Sequence, residues 1–193
     1  MTDSSQLRKE ILAARNRLTA AEIKEKSGAI QDNLLGLEEI ITAKNIFSYV
    51  SFRSEVATLE LINSLLNKGK IVTVPITRIK EKRLDAIRIT NPESDLVPGY
   101  CDIPEPNEEL CLQQKANPAD IDVILLPGSV FDKRGGRFGY GGGYYDRFVS
   151  SIPGAVRVGL AFDLQIIEKA PLQPHDEILD FVITETRVLR GKR

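Results

Sequence analysis

The sequence predicts an α/β fold: a three-layer α/β/α single domain over residues 1–193, built around a mostly parallel sheet. Helical and strand patterns alternate along the chain, which favours parallel strands joined by helices. The run IDVILLP at Ile121–Pro127 is continuously apolar, as is typical of a strand buried on both faces. A chain of 193 residues is also long enough to bury the core that such a fold requires.

The first two predicted elements are helices. Apolar residues at helical spacing predict a helix over residues 7–18. Thr19 and Glu22 have the spacing of a capping box, in which the side chain of each residue accepts a hydrogen bond from the backbone N–H of the other. They predict that a second helix begins there, and Gly36 marks its end.

Strand patterns follow from residue 45 onward. The predicted strands are Asn45–Val50, Ile71–Thr77, Asp85–Thr90, Ile121–Pro127, Arg157–Phe162 and Asp180–Thr184. Helices are predicted over Thr58–Lys68, ended by Gly69, and from Tyr144 onward. Residues 91–119 are rich in Pro, Glu and Asn and predict a long surface excursion. Ligands of such sheets bind beyond the carboxyl ends of the strands, so we expect a site there.

The composition excludes several classes of function. A formal net charge of -1 gives the molecule no basic field for nucleic acid. Cys101, Cys111 and one histidine do not form a cysteine-histidine zinc motif, and two free thiols are expected. No apolar run approaches a membrane span, and the charged first residues lack a signal-peptide pattern. We therefore expect a cytoplasmic protein that binds neither nucleic acid nor membranes, as a monomer or a weak homodimer.

A glycine-rich loop from Arg137 to Asp146 is the strongest functional signal. Its surroundings, PGSVFDKRGGRFGYGGGYYDRF, follow the predicted buried strand, and six of the nine residues from Gly135 to Gly143 are glycine. Glycine lets a ligand approach the main chain closely, and successive N–H groups can bind an anion. Nearby arginines add donors suited to phosphate. The loop therefore predicts a phosphate site, although glycine content alone would equally fit a mobile surface loop.

Two familiar phosphate motifs are absent from this loop. It has no GxxxxGK[ST] run, so it is not a Walker A loop, and no GxGxxG passes through its glycines. Asp146 follows the loop in the first turn of the predicted helix. Its carboxylate would either complement the helix dipole or hold magnesium beside bound phosphates.

The loop also carries a family resemblance. FDKRGGRFGYGGGYYDRF resembles the signature of the 5-formyltetrahydrofolate cyclo-ligase family. LRKEILAAR at Leu7–Arg15, YVSFRSEVAT at Tyr49–Thr58 and HDEILDFVITE at His175–Glu185 are similar to three further family segments, in the same order. The resemblance implies a ligase that converts ATP and 5-formyltetrahydrofolate into ADP, phosphate and 5,10-methenyltetrahydrofolate with magnesium. Transfer of the γ-phosphoryl group to the formyl oxygen would make that oxygen a leaving group, and ring closure would follow.

The resemblance also implies the site residues. Those on the ATP side are Ser4, Arg8, Arg137, Phe138, Gly139, Tyr140, Gly141, Gly142, Gly143, Tyr144 and Tyr145. Those on the folate side are Val50, Glu55, Tyr140, Gly141, Gly142, Gly143 and Tyr144. Asp146 and Asp180 are implied to bind magnesium. His175, the only histidine, is expected either to position the Asp180 segment or to be a partly buried residue without a role in the site.

This chain departs from the family pattern at two positions. Many members have a lysine a few residues before Arg8, where this chain has Ser4, Ser5 and Gln6, and many have a lysine in place of Gly142. Lys9, Lys133 and Arg134 are candidates to supply the missing charge.

Three alternatives stay open at this stage. One is another α/β enzyme, such as a sugar-phosphate isomerase or a coenzyme A transferase, which would turn over without ATP. Another is a non-catalytic nucleotide- or folate-binding protein, which would not require two metal ligands. The third is the same reaction on a modified pterin.

Overall fold

The computed structural model describes residues 4–99, 102–170, 172 and 177–193. Its helices are α1 (Ser4–Arg15), α2 (Ala20–Leu35), α3 (Glu38–Thr42), α4 (Leu59–Asn67), α5 (Pro92–Asp95), α6 (Glu108–Gln113) and α7 (Tyr144–Ser150). Its strands are β1 (Asn45–Ser48), β2 (Ile71–Arg78), β3 (Arg83–Ile89), β4 (Leu96–Pro98), β5 (Pro104–Pro106), β6 (Val123–Leu126), β7 (Val130–Asp132), β8 (Arg137–Phe138), β9 (Val156–Leu160), β10 (Ile166–Ile167), β11 (Phe181–Ile183) and β12 (Val188–Arg190).

Seven of the strands form the central sheet, in the order β12-β11-β9-β6-β1-β2-β3. The five inner strands run parallel, and β3 and β12 pair antiparallel at the two edges. This arrangement confirms the predicted mostly parallel sheet. Two short strand groups, β10-β7-β8 and β4-β5, lie outside it.

Helices cover both faces of the sheet, as predicted. On one face, α2 and α4 pack against alternate strand residues that include Val123 and Leu125. On the other face, Ile124 and Leu126 pack with α7. Because neighbouring residues of β6 enter opposite hydrophobic clusters, its continuous apolar run is explained by burial on both faces. No helix within the described ranges has both the length and the apolarity of a membrane span.

Local signals placed several helix ends correctly. The Thr19 hydroxyl accepts a hydrogen bond from the Glu22 N–H (3.2 Å), and the Glu22 carboxylate accepts one from the Thr19 N–H (2.8 Å). This capping box begins α2, and Gly36 caps its carboxyl end. Gly69, which follows α4, has a φ of 76°, a conformation that glycine adopts without strain.

The excursion over residues 91–119 contains more regular structure than the sequence analysis predicted. Its described part contains α5, the antiparallel β4-β5 pair and α6. The side chains of Asn91 and Asn107 each accept a backbone N–H bond and cap these two helices. β5 packs against β2, so this segment forms one wall of the cleft beside the glycine loop.

Candidate active site

A cleft of about 450 Å³ opens at the carboxyl ends of β1 and β6, beside the glycine loop. Its walls come from α1, the segment after β1, the β2-β3 pair, the excursion and the loop. The lining residues are Leu12, Arg15, Asn16, Val50, Phe52, Arg53, Glu55, Pro75, Thr77, Leu84, Ile103, Pro104, Glu105, Pro127, Arg137, Gly139, Tyr140, Gly142, Gly143, Tyr144, Tyr145 and Asp146. A volume of this size is within the range of small-molecule sites.

The glycine loop is held at its base by a buried carboxylate. Strands β7 and β8 form a hairpin, and Asp132 at the end of β7 is fully buried. Its oxygens accept hydrogen bonds from the backbone N–H groups of Arg134 (2.8 Å), Gly136 (2.8 Å) and Ala170 (2.9 Å). Burial alone would raise the pKa of Asp132, but these bonds and the Arg134 guanidinium outweigh it and lower that pKa. The loop therefore starts from a fixed support.

The tip of the loop needs glycine at two positions. Gly141 and Gly143 have φ values of 94° and 64°, in the left-handed region where a side chain would be strained. A Cβ atom added at Gly141 would lie 3.9 Å from Arg8 Nη1 of α1, so this guanidinium lies beside the loop tip. Arg8 also lies over the Phe138 ring, and its buried Nε has no hydrogen-bond partner among the described residues.

Arg137 is buried between two partners of the protein itself. Its Nη1 donates to the Pro127 carbonyl (2.9 Å), directly after β6. Its Nη2 donates to the Asp146 carboxylate at the start of α7. The Arg137 side chain is 2% exposed and that of Asp146 is 31% exposed. The arginine thus orients an aspartate whose other side is open to the cleft.

A chain of hydrogen bonds crosses the cleft from α1 to the segment after β1. Arg15 Nη1 donates to the Tyr140 hydroxyl (2.9 Å), and that hydroxyl donates to Glu55 Oε1 (2.5 Å). Glu55 Oε2 accepts the Phe52 N–H (2.9 Å). Burial raises the pKa of Glu55 above its ordinary value, although both hydrogen bonds and the Arg15 charge act in the opposite direction.

The structure brings most of the predicted site residues to this one cleft. The lining includes Val50, Glu55, Arg137, Gly139, Tyr140, Gly142, Gly143, Tyr144, Tyr145 and Asp146. Phe138 and Gly141 belong to the same loop without lining the cleft, and Arg8 lies beside both. Ser4 begins α1. Tyr144 and Tyr145 are both half-buried.

Asp180 directly precedes β11, at the amino ends of the parallel strands, whereas the cleft lies at their carboxyl ends. Its N–H donates to the Arg157 carbonyl at the amino end of β9, and its carboxylate accepts from the Arg157 N–H and Arg193 Nη1, both at 2.8 Å. Asp146 instead contacts Arg137 at the level where β6 ends, about three strand residues or roughly 10 Å further along. Ligands of one magnesium ion lie about 2 Å from it, and the described contacts do not bring Asp146 and Asp180 together. Their assignment to one magnesium ion stays a prediction.

Two of the candidate replacements for the missing lysines are paired elsewhere. Lys133 pairs with Glu168 (2.5 Å), and Arg134 pairs with Asp132 (2.6 Å). Lys9 is an exposed residue of α1. His175 lies outside the described residues, so the expectation for it stays a prediction.

Several residues of the cleft were not indicated by the sequence patterns. Arg15 is the clearest example, because it is buried and connects α1 to the loop and to the segment after β1. It follows Arg8 by seven residues, which is two helical turns, so both lie on the same face of α1. The seven-residue spacing from Arg8 is the sequence signal that could have indicated Arg15 as a residue of the cleft. Glu105, by contrast, reaches the cleft from the excursion, and its place depends on long-range packing.

The fold and the site together define an α/β protein with a ligand cleft at the carboxyl ends of parallel strands, as in many α/β enzymes. The model of the 5-formyltetrahydrofolate cyclo-ligase family matches residues 1–185. The chain belongs to this family and is a ligase.

Known relatives agree with this assignment over nearly the whole chain. The chain is 30% identical to a 5-formyltetrahydrofolate cyclo-ligase of Mus musculus over 186 residues, 93% of this chain and 92% of the relative. It is 32% identical to the enzyme of that name in Haemophilus influenzae over 173 residues, covering 89% and 91% of the two chains.

A solved structure supports the fold. The 5,10-methenyltetrahydrofolate synthetase of Aquifex aeolicus superposes with a TM-score of 0.85 at 32% identity, over 98% of this chain and 93% of that one. The synthetase of Mycoplasma pneumoniae has the same fold, with a TM-score of 0.75, 24% identity and coverage of 95% and 99%.

Proposed function

We propose that this ligase converts 5-formyltetrahydrofolate and ATP into 5,10-methenyltetrahydrofolate, ADP and phosphate. The observation that carries the proposal is the hydrogen bond between Tyr140 and Glu55. Tyr140 belongs to the loop expected to bind ATP, and Glu55 belongs to the segment expected to bind the pterin. Two regions 85 residues apart in sequence therefore meet in one cleft, where the two substrates would react with each other.

The chemistry explains why both substrates must share a cleft. The formyl oxygen attacks the γ-phosphorus of ATP, and the bond from that phosphorus to the ADP oxygen breaks. The resulting imino phosphate is electrophilic at carbon. Nitrogen 10 attacks this carbon and loses its proton, and the carbon–oxygen bond breaks as phosphate leaves. Positioning accounts for much of the rate enhancement in such a transfer, because holding the reacting atoms in line makes a bimolecular step effectively unimolecular.

On this proposal the described residues have distinct tasks. The ionised Glu55 accepts N–H donors of the pterin, because a carboxylate has several acceptor sites and only two are used by the protein. The loop backbone and Arg8 bind the ATP phosphates. Arg137 keeps the Asp146 carboxylate directed at the cleft.

Magnesium fits this site with one protein carboxylate. No group of three potential metal ligands occurs among the described residues, so a cage made only of side chains is not supported there. Magnesium is usually held by one or two carboxylates together with phosphate oxygens, and Asp146 offers one at the cleft wall. The ion would neutralise charge that develops on the transferring phosphoryl group.

The test is turnover of the purified protein. With ATP, magnesium and 5-formyltetrahydrofolate together, we expect the ultraviolet absorbance of the methenyl product to appear in step with ADP. Omitting ATP should abolish the signal, which separates this reaction from an isomerase or a transferase. Running the same assay with other 5-formylated pterins tests which pterin is the substrate. Formation of the product without ATP consumption would overturn the proposal.

The cytoplasmic location and the assembly as a monomer or weak homodimer stay predictions.

A further inference from the structure

Arg15, the last residue of α1, joins three segments of the cleft with one guanidinium group. Its Nε donates to Ser54 Oγ (3.1 Å), and its Nη1 donates to the Gly128 carbonyl (3.2 Å) and the Tyr140 hydroxyl (2.9 Å). We infer that Arg15 is a positioning residue for the folate, acting through Tyr140 on Glu55. The inference rests on the proposed function, because it assigns Glu55 to the pterin.

The three bonds of Arg15 are not equivalent. The Gly128 carbonyl also accepts a bond from Gln165 Nε2 (2.9 Å), so this backbone group keeps a partner without the arginine. Ser54 Oγ donates to Asn16 Oδ1, which ties that segment to the end of α1 independently. Tyr140, in contrast, accepts a hydrogen bond only from Arg15 among the residues that the structure describes. Loss of Arg15 is therefore expected to affect the position of the Tyr140 hydroxyl more than that of Gly128 or Ser54.

The charge of Arg15 supports the same role. The residue is 4% exposed, and a buried cation is costly unless an anion or several acceptors stabilise it. No carboxylate forms an ion pair with it within the described part of the chain. The negative group that it affects is Glu55. Burial raises the pKa of Glu55 overall, and the positive charge of Arg15 partly opposes this effect. The Tyr140 hydroxyl lies between the two and transmits the contact.

Geometry explains what the arrangement does for the substrate. The Tyr140 side chain is about half exposed, so packing alone does not fix the direction of its hydroxyl. A bond donated by Arg15 to the hydroxyl oxygen fixes it, and it strengthens the bond that the hydroxyl donates onward. Glu55 is thereby held with one oxygen on Tyr140 and the other on the Phe52 N–H, while its remaining acceptor sites can bind a pterin.

A purely structural role for Arg15 makes a different prediction. If the arginine only attached α1 to the sheet, its loss would lower stability and would affect ATP and folate alike. Its effect would also add to that of removing the Tyr140 hydroxyl, because independent contributions add. If Arg15 acts through Tyr140, the two changes affect the same bond chain and must be non-additive.

The experiment is a double-mutant cycle with Arg15→Met, Tyr140→Phe and both together. We expect Arg15→Met to raise the KM for 5-formyltetrahydrofolate about tenfold, the scale of a lost charge-assisted hydrogen bond, with the KM for ATP within about twofold. The double variant should have a folate KM within about twofold of the worse single variant. Arg17→Met is the matched control, since Arg17 is an exposed arginine two residues further on, and it should behave as wild type.

The outcomes separate the inference from the proposed function. Absence of turnover by the wild type contradicts the proposed function itself. With an active wild type, an unchanged folate KM in Arg15→Met, an equal rise in both KM values, or additive effects in the cycle overturn the inference. If circular dichroism shows that Arg15→Met does not fold, Arg15→Lys replaces it in the same cycle. Lysine keeps the charge but not the forked donors, so the same preferential and non-additive rise in folate KM is expected.

Discussion

Arg137 and Asp146 form an ion pair in which the arginine is almost completely buried and the aspartate is partly open to the cleft. The Pro127 carbonyl accepts a second bond from the same guanidinium, so its position is fixed from both sides. This geometry separates the tasks of the two residues. Asp146 is available to a ligand, whereas Arg137 supports it from the protein interior.

Asp146→Asn should lower kcat/KM by about a hundredfold or more, the scale of lost electrostatic stabilisation in a phosphoryl-transfer site. The fold should survive, because the asparagine oxygen can still accept the Arg137 bond. The measurement is kcat/KM at a series of magnesium concentrations, with the exposed Asp32→Asn on α2 as the control. Wild-type activity of Asp146→Asn at limiting magnesium would remove this residue from the metal site.

Arg137→Ala should lower the free energy of unfolding by about 1–3 kcal/mol in the absence of any ligand, because the buried Pro127 carbonyl loses its donor and Asp146 loses its partner. An arginine that contacted only phosphate would instead weaken ATP binding and leave the unliganded protein as stable as before. Urea unfolding of the free protein distinguishes the two cases, with the exposed Arg17→Ala as the control. Unchanged stability together with weaker binding of an ATP analogue would instead support the direct phosphate contact that the sequence predicts.

Glu55→Gln should raise the KM for 5-formyltetrahydrofolate and leave the KM for ATP nearly constant, because the amide loses one acceptor and the negative charge. The exposed Glu25→Gln on α2 is the matched control. An equal loss of ATP affinity would show that Glu55 is not a pterin contact.

The pH dependence of stability offers a second test of Glu55. Because its folded pKa is raised, the protonated form is favoured in the folded protein, and this contribution is complete below the ordinary pKa of 4.5. It is lost as the pH rises through the folded pKa. The stability of wild type relative to Glu55→Gln should therefore fall as the pH rises from 4.5 toward neutrality, measured by urea unfolding across that range. A difference that does not change with pH would contradict the raised pKa.

Asp132 should have the opposite pH dependence. Its folded pKa is lowered, so its stabilisation is present above the ordinary value of 3.8 and is lost as the pH falls through the folded pKa. Asp132→Asn should lower the free energy of unfolding at neutral pH by about 2 kcal/mol or more, because an amide cannot accept all the bonds that the carboxylate accepts. The deficit should shrink in acid. Equal stability of the two proteins at neutral pH would show that the loop does not depend on this support.

Local patterns predicted most of the fold. The capping box of α2, the glycine after α4 and the apolar run of β6 each follow from a few neighbouring residues, and each was correct. The excursion was predicted poorly, because its short helices and the β4-β5 pair are stabilised by contacts with β2 and β3 rather than by their own periodicity. Strand polarity then explains why the carboxyl ends of β1 and β6 form the cleft.

The candidate site was predictable in part. Glu55 and the loop were indicated by sequence segments, and the structure places both in one cleft. The structure does not bring Asp146 and Asp180 together, and strand polarity explains why. Asp180 precedes its strand, whereas the cleft lies beyond the strand ends. Membership of the ligase family argues against a non-catalytic binding protein.

The fate of the formyl oxygen tests the central claim most directly. If one cleft brings the formyl group of the folate to the γ-phosphate of ATP, that oxygen must leave with phosphorus. 5-Formyltetrahydrofolate labelled with oxygen-18 in the formyl group should therefore yield, with the purified protein, ATP and magnesium, one labelled oxygen in each phosphate released, measured by mass spectrometry. Unlabelled phosphate, with the oxygen-18 recovered in water, would contradict phosphorylation of the formyl oxygen and with it the proposed reaction.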